Sequence, residues 1–388
     1  MKNFINKERM GLLIGLLICI LPWSNFFFRK VDLWHAQGHF FQMGLLVLFA
    51  LSFMVKPNYV QVLNKPLGIF ILWVGLITGV RWMTIFEKVS QYPLKLFLPF
   101  FNLLCFVLFY KLILEYIDED RIKKIFKYLS YSVLLMLFYC VLQRLNLDEF
   151  FRNIDGSIPI DEFVGTIGNQ SHLGGYLAII QPIFFSKSRL NILSLILLWS
   201  IIIFSHSASG IIIGIAVVLF YLIMNKKWQQ SLLVAGLSVL GVIFALIKDV
   251  NFSSLSGRNI IWSDAFSMFR AHPITGYGLG YWGAQGIATG PNATWRHLHC
   301  EPYQYAIELG LIGLFLIIWL IWDYFKTFRT IKTDLTIKIV SMFLGFCLLS
   351  LVSFPTHIWI VASIGMISYS FMYVIKNNSG IQVLGENI

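Results

Sequence analysis

Four polar residues lie directly ahead of a long apolar run in the last third of the chain. Arg296, His297, His299 and Glu301 precede the apolar sequence that continues through Leu314. An arginine fork binds phosphate through two parallel hydrogen bonds and stays charged at every relevant pH. A histidine can accept or donate a proton near neutral pH. These residue types together predict a site that binds a phosphorylated group and transfers a proton.

The composition places these residues on a membrane protein. Of 388 residues, 57% are hydrophobic and only 13% are charged, whereas soluble proteins average about 25% charged residues. A chain with so little polar surface cannot cover a water-soluble globule. The sequence therefore predicts an all-α polytopic membrane protein in which residues 1–388 form a single membrane domain.

Apolar runs of about 17–25 residues, the length that crosses a bilayer, predict about twelve transmembrane helices. Their approximate spans are 11–28, 39–55, 66–83, 94–114, 128–147, 172–186, 190–205, 208–224, 230–248, 302–325, 334–354 and 357–375. The first run follows a basic start but lacks a small-residue cleavage site. This pattern favours an uncleaved first helix over a removed signal peptide.

The distribution of Lys and Arg predicts the orientation of these helices. Basic residues concentrate in the even-numbered loops, including Lys123, Lys124, Lys187, Lys226 and Lys227. The positive-inside rule then places both termini in the cytoplasm. The formal net charge of +11 is explained by contact with anionic membrane lipids and gives no reason to expect a nucleic-acid partner.

Two predicted external segments are long, 148–171 and 249–301, and loops of such length are usually functional. The second contains a predicted amphipathic helix, with Ser256 as its cap and Pro273 beyond its end. Its apolar stripe comprises Trp262, Ala265, Phe266 and Phe269, and we expect this stripe to lie in the membrane interface. A glycine-rich turn from 276 to 283 follows.

His299 precedes a helix predicted to begin near Pro302, because proline is well tolerated in the first helical turn. At a membrane face, arginine and histidine suit a lipid-linked diphosphate. The arginine would hold the leaving diphosphate, and the histidine would take a proton from a sugar hydroxyl. Alternatives remain open: the histidines could be solvated caps, and Arg258 and Arg270 could pair with lipid headgroups.

A metal site is not predicted, because "HLHC" lacks further ligands nearby and neither an HExxH nor a CxxC motif occurs. The sequence also contains no evident pair of acidic residues at the spacing that glycosidases use. Cys300 is the one cysteine outside a predicted helix, and no disulfide framework is evident.

The motifs resemble those of the O-antigen ligase and O-antigen polymerase superfamily of bacterial envelope glycosyltransferases. The residues that carry the resemblance are Arg258, Trp262, Pro273, Gly276, Gly278, His299, Tyr303, Glu308, Gly310 and Gly313, together with the stretch from Gly165 to Ala178. The resemblance covers about 165–325 by motif and the whole chain by topology.

The resemblance implies a glycosyltransferase of the bacterial inner membrane that uses an undecaprenyl-pyrophosphate-linked oligosaccharide as donor, with no nucleotide sugar and no required metal or other cofactor. It implies catalytic roles for His299 and Arg258. The candidate substrate-binding residues are Arg270, Arg296, His297, Glu301, Tyr303, His206 and His357. The acceptor is either another lipid-linked repeat, as in a polymerase, or the lipid A core or a protein hydroxyl, as in a ligase. The sequence does not separate these versions; we favour the polymerase.

Two departures from the family pattern concern the site. Cys300 stands where asparagine is common, and 205–210 contains His206 where many members have an arginine. Arg258, Arg270 or His206 would then supply the missing phosphate contact.

Rival hypotheses are a flippase for lipid-linked glycans and a membrane scaffold. A flippase would place polar residues within its helices. The predicted helices carry few polar residues, and the exceptions are Gln143, Arg144, Gln181 and His357.

Overall fold

The computed structural model describes residues 6–27, 33–55, 63–85, 93–147, 164–247, 258–285 and 297–379, and the regular elements in these ranges are helical. The α-helices are α1 (Lys7–Ile20), α2 (Leu33–Ser52), α3 (Lys65–Ile85), α4 (Pro93–Tyr116), α5 (Glu119–Arg144), α6 (Gln170–Ile180), α7 (Arg189–Phe204), α8 (Ala208–Met224), α9 (Trp228–Ile247), α10 (Arg258–Ala271), α11 (Tyr281–Gln285), α12 (Glu301–Thr330), α13 (Asp334–Val352) and α14 (Trp359–Asn378). Short 3₁₀ turns follow α1, α2, α6 and α13.

Each of the twelve predicted apolar runs overlaps one of these helices. Within the described ranges, six helical stretches are long and apolar enough to cross a membrane: Gln37–Val55, Leu98–Tyr116, Glu119–Arg144, Glu301–Thr330, Asp334–Val352 and Trp359–Asn378. Helices α7 and α8 are apolar but shorter. The prediction of a polytopic α-helical membrane protein is confirmed.

Helix α14 lies at the centre of the bundle. Almost all of its side chains from Ile360 to Ile375 are buried, and it packs against α13, α4, α12, α2, α5 and α6. A helix that is apolar all round belongs in such a position, because every face has a protein neighbour. The short segment that joins α13 to α14, residues 353–358, is therefore held between two packed helices.

Helices α6 and α8 approach each other through small residues. Asn169 caps α6 by accepting hydrogen bonds from the backbone N–H groups of Ser171 and His172. A Cβ atom added at Gly174 would lie 2.3 Å from the Cβ atom of Ser207, the residue that caps α8. Small residues allow this close backbone contact between membrane helices, and the contact fixes the N-terminal turn of α6 beside the turn that joins α7 to α8.

Helix α12 is broken at Gly310, which has φ 69° and ψ −173°. Glycine adopts this conformation because it lacks a Cβ atom. The part before the break contains the residues nearest the predicted site, and the part after it, 311–330, is about 30 Å long. That length is sufficient to cross the hydrocarbon core of a bilayer.

Residues 273–278 fill the break in α12. The backbone N–H groups of Tyr277 and Gly278 donate to the carbonyl oxygens of Ile307 and Glu308, at 3.0 and 2.7 Å. In return, the N–H groups of Leu311 and Ile312 donate to the carbonyl oxygens of Pro273 and Ile274. Backbone groups inside a membrane protein need such partners, so the glycine-rich turn forms part of the helix packing.

Helix α10 corresponds to the predicted helix, and three of the four predicted stripe residues lie on its buried side, since Ala265 is buried and Trp262 and Phe269 pack against a small core. Ile261 and Ala265 are fully buried and belong to a small core with Trp282 and Leu298. Phe266, predicted to be part of the apolar stripe, is instead 50% exposed. The helix packs against α12, so its buried row is set by a protein neighbour.

Parts of the two long predicted loops lie outside the described residues, namely 148–163, 249–257 and 286–296, which include Ser256 and Arg296.

Candidate functional site

Arg258 and His299 come from different elements, and the charge of Arg258 acts on the imidazole of His299. Arg258 is the first residue of α10, and its Nη1 donates to the carbonyl oxygen of Val352 at 3.4 Å. His299 belongs to the segment 297–300, immediately before α12. Burial, and to a lesser extent the positive charge of Arg258, lowers the pKa of His299 from 6.5 to about 4. The imidazole is therefore neutral at pH 7, and the guanidinium that acts on it stays protonated.

The backbone of His299 adopts a left-handed conformation, with φ 54°. This conformation is uncommon for residues other than glycine and is found most often at turns and functional sites. It occurs one residue before Cys300, the N-cap of α12. The turn thus directs the chain into the helix and sets the position of the imidazole.

Phe354 connects four histidines at this site. The ring of His297 stacks on Phe354 at a centroid distance of 4.4 Å and an interplanar angle of 18°. The rings of His299 and His172 meet Phe354 edge-on, at 4.8 and 5.1 Å, and His357 lies at 6.5 Å. Aromatic pairs prefer such stacked or edge-to-face arrangements. Phe354, which is buried, therefore holds histidines from α6, from segment 297–300 and from segment 353–358 together.

Glu301 anchors the segment that carries His357. Its side chain is buried, and Oε1 accepts a hydrogen bond from the backbone N–H of Thr356 at 2.6 Å. The hydroxyl of Thr356 also donates to Oε1, and it accepts in turn from Tyr305, at 2.7 Å. His357 Nδ1 lies 3.5 Å from the same carboxylate oxygen. A carboxylate on α12 thus fixes the loop between α13 and α14.

Gln304 extends this network to a second buried carboxylate. Its Nε2 lies 3.2 Å from Glu308 Oε1 and 3.4 Å from His357 Nε2. Because an amide nitrogen only donates, His357 Nε2 is the acceptor, and its proton lies on Nδ1, toward Glu301. Gln304 Oε1 accepts from the N–H of Leu298 at 3.4 Å. The segment that carries His297 and His299 is therefore tied to α12.

Glu308 holds the glycine-rich turn. Its side chain is fully buried, and it accepts hydrogen bonds from the N–H groups of Gly280 and Trp282, at 2.9 and 3.3 Å. Arg81 of α3 supports the same turn through its Nε, which donates to the carbonyl oxygen of Gly276 at 3.2 Å. The turn is thus fixed from two sides.

Tyr303 and Trp262 join α12 to α10. The Tyr303 hydroxyl donates to the carbonyl oxygen of Trp262 at 2.7 Å. The indole N–H of Trp262 donates to the carbonyl oxygen of Leu298 at 2.9 Å. Both side chains are engaged in positioning contacts, and these contacts place Arg258 and His299 on neighbouring elements of fixed geometry.

Of the remaining candidate residues, two are exposed and one lies outside the described ranges. Arg270 is exposed at the last turn of α10, with its guanidinium 5.2 Å from the ring centroid of Phe266. Twelve residues separate it from Arg258, about 18 Å along a helix. His206 is exposed in the turn between α7 and α8, next to Ser207, whose hydroxyl donates to the carbonyl oxygen of Ser171. Arg296 lies outside the described residues.

Sequence reasoning missed His172, Phe354 and Thr356, which are all within this group. His172 lies in the stretch 165–178 that carries part of the family resemblance. A histidine within an apolar helical run is the sequence signal that could have identified it, and the structure shows that it is buried. Phe354 and Thr356 flank Pro355 next to His357 and carry no motif of their own.

Among the described residues, no group of three or more His, Cys, Asp or Glu side chains is arranged to hold a metal ion.

The comparison with known protein families gives a match over part of the chain. Residues 193–318 match the family described as O-antigen ligase. The matched segment, about a third of the chain, is similar to this family and supports the resemblance to the O-antigen ligase and polymerase superfamily. It begins in α7 and ends in α12, so it includes Arg258, His299 and Glu301, whereas His172 and the segment 353–358 lie outside it. No curated protein matches the chain.

Proposed function

We propose that this protein is an integral membrane glycosyltransferase that moves a glycan from undecaprenyl pyrophosphate to a hydroxyl group at the outer face of the bacterial inner membrane. The observation that carries the proposal is the neutral imidazole of His299 under the influence of the Arg258 charge, inside the segment that matches the O-antigen ligase family. These two groups match the two needs of the reaction, a proton acceptor and a ligand for the departing diphosphate.

In this reaction the acceptor oxygen attacks the anomeric carbon of the donor sugar. The bond between that carbon and the diphosphate oxygen breaks, and undecaprenyl pyrophosphate leaves with the electron pair. Arg258 binds the diphosphate and stabilises its developing charge. His299 takes the proton from the acceptor hydroxyl, which a neutral imidazole is able to do.

Donor binding would activate His299. Burial and the charge of Arg258 both lower the pKa of this histidine, which makes it a weak base in the free protein. A bound diphosphate would offset the charge of Arg258, so the pKa of His299 would rise toward its usual value. A base becomes more effective as its pKa approaches the working pH, so the proton acceptor would be strongest when the donor is in place.

The proposed membrane arrangement follows from the same assignment. Twelve helices would cross the membrane or pack within it, both termini would lie in the cytoplasm, and the Arg258–His299 group would lie at the outer face. His297, Glu301, Tyr303 and His357 would shape the sugar site next to it. Arg270 and His206, which are both exposed, would contact other parts of the donor or acceptor.

The acceptor separates two versions of the function. We propose polymerisation, in which the acceptor is a second lipid-linked repeat. In the second version, the glycan moves to the lipid A core or to a protein hydroxyl, and the match to a family described as O-antigen ligase does not separate the two versions.

Reconstitution in liposomes tests the proposal. The purified protein is mixed with a lipid-pyrophosphate-linked repeat, with and without lipid A core, and the products are resolved on a gel. A ladder attached to lipid indicates polymerisation, and a single transfer to the core indicates ligation. Movement of the donor across the bilayer without a new glycosidic bond would instead indicate a flippase, and the absence of all three would refute the assignment.

A further inference from the structure

An apolar groove runs between α7 and α8, with a volume of about 760 Å³. Leu195, Ile196 and Ile203 line it from α7, and Val218 and Leu222 line it from α8. Ile196 and Ile203 are 60% and 54% exposed. The groove therefore opens on the side of these helices that no other described helix covers.

The floor of the groove is rigid. The indole N–H of Trp199 donates to Gln181 Oε1 at 3.2 Å. Gln181 is fully buried, and its Nε2 donates to the carbonyl oxygen of Gly214 at 3.0 Å. A Cβ atom at Gly214 would lie 3.0 Å from the Trp199 ring, so the glycine leaves the space that the indole occupies. A polar network under the ring thus fixes an apolar surface.

One end of the groove is positively charged. Ser186, Lys187 and Lys227 line that end, and Lys227 Nζ lies 5.5 Å from the ring centroid of Tyr221. Asp334 also faces Lys227, but its carboxylate already forms an ion pair of 2.8 Å with Lys338. The end therefore keeps a surplus of positive charge that can meet an anion.

The dimensions of the groove fit a lipid of one leaflet. From Arg189 to Ile203, α7 rises about 21 Å, and half of the hydrocarbon core of a bilayer is about 15 Å thick. The lysines lie at the start of α7, whereas Ser207, beyond its other end, contacts the first turn of α6, which carries His172. The charged end of the groove is thus far from the histidine group.

We propose that this groove binds one anionic phospholipid, with an acyl chain along Trp199 and the phosphate between Lys187 and Lys227. The apolar floor supplies burial for the chain, and the two lysines supply charge attraction for the headgroup. This site is separate from the one assigned to glycosyl transfer and does not depend on that assignment.

Native mass spectrometry of the full chain in detergent tests this site. The protein is titrated with phosphatidylglycerol and, separately, with phosphatidylcholine of the same chain length. We expect one phosphatidylglycerol to bind in clear preference to phosphatidylcholine. The variant Lys187→Gln/Lys227→Gln should bind phosphatidylglycerol more weakly by about five-fold for each lysine, or roughly 25-fold in total. The variant Lys65→Gln/Lys124→Gln removes the same charge from exposed positions elsewhere and should bind like the wild type.

A second variant tests the apolar part. Ser200 lines the groove and donates to the carbonyl oxygen of Ile196. Ser200→Phe would fill the groove without changing the charge, and it should weaken the binding of both lipids. Equal binding of the two lipids to the wild type would overturn the proposal, as would unchanged binding in both the lysine and the Ser200 variants. Inorganic phosphate that binds as tightly as phosphatidylglycerol would also overturn the proposal, because the acyl chain would then contribute nothing to binding.

Discussion

Replacement of Gly310 by alanine should disrupt the joint between α12 and the segment 273–278. The backbone of Gly310 has φ 69° and ψ −173°, a conformation that only glycine adopts without strain. A Cβ atom at this position would lie 2.1 Å from the carbonyl oxygen of Ile274 and 2.7 Å from the backbone nitrogen of Thr275. Both neighbours are backbone atoms, so no side-chain rotation can relieve the overlap.

The expected cost of this substitution has two parts. The strained conformation costs about 2 kcal/mol for a residue with a Cβ atom. If the segment 273–278 moves away to avoid the overlap, its four backbone hydrogen bonds to α12 are lost, at about 1 kcal/mol each. The free energy of unfolding should therefore fall by more than the ~2 kcal/mol of conformational strain, and by up to about 6 kcal/mol if the segment moves and all four hydrogen bonds are lost.

Thermal unfolding of the purified protein in detergent measures this effect. Gly79→Ala on α3 is the matched control, because a Cβ atom there has no neighbour within 4 Å, and it should leave the unfolding midpoint unchanged or raise it slightly. Glycosyl transfer should also be lost in Gly310→Ala, because the segment precedes the turn that Glu308 holds. Equal midpoints for Gly310→Ala and the control would show that the break in α12 is not required for stability.

Three further predictions concern the histidine group. Because burial and Arg258 lower the pKa of His299 to about 4, protonation of His299 in the free protein should reduce kcat/KM only well below pH 6. Arg258→Gln should raise the pKa of His299 and so move the acidic limb of the residual activity to higher pH. An unmoved limb would show that Arg258 does not act on His299. Phe354→Leu, which keeps an apolar side chain but removes the ring, should lower kcat far more than Phe354→Tyr, with membrane protein levels as the control. Thr356→Val should lower the free energy of unfolding by about 1–3 kcal/mol, because it removes the hydroxyl that donates to the buried Glu301 carboxylate and leaves only the backbone N–H of residue 356; a thermal midpoint equal to that of the wild type would contradict this network.

The pH dependence of stability follows from the same pKa. The folded protein binds a proton at His299 less readily than the unfolded chain does, because its pKa is about 4 instead of 6.5. The unfolded state thus gains protons first as the pH falls, and the contribution of His299 to stability decreases between pH 6.5 and 4. His299→Gln should remove this part of the pH dependence, as measured by thermal midpoints over that range.

Much of the helical architecture could be predicted from the sequence, because each membrane helix is a continuous apolar run with polar residues at its ends. The same logic was only partly correct for the face of α10, where Trp262, Ala265 and Phe269 lie in or against the core but Phe266 does not. The periodicity of this helix is compatible with two neighbouring rows of residues, and only the packing against α12 decides that Ile261 is buried and Phe266 is exposed. A local pattern determines the helix but not the neighbour that it meets.

The candidate site was predicted in part for a similar reason. His297, His299 and Glu301 are adjacent in sequence, so a single segment indicated them. His172 and Phe354 are far apart along the chain and come together only through the packing of α6 against the segment before α14. The break at Gly310 was equally hidden, because glycines are common in membrane helices and its partner segment lies more than thirty residues earlier.

The break in α12 also has a consequence for how the chain is assembled. Helix α12 cannot satisfy its own backbone around Gly310, so it needs residues 273–278 as a partner. Those residues are synthesised before α12, since the ribosome reads the chain from its N-terminus, and they are connected to it by a short stretch. The partner is therefore already present when α12 is inserted. The order of synthesis thus supplies the partner before the helix that needs it. If the gene were split between residues 278 and 301 and the C-terminal fragment were expressed first, α12 would be inserted without its partner.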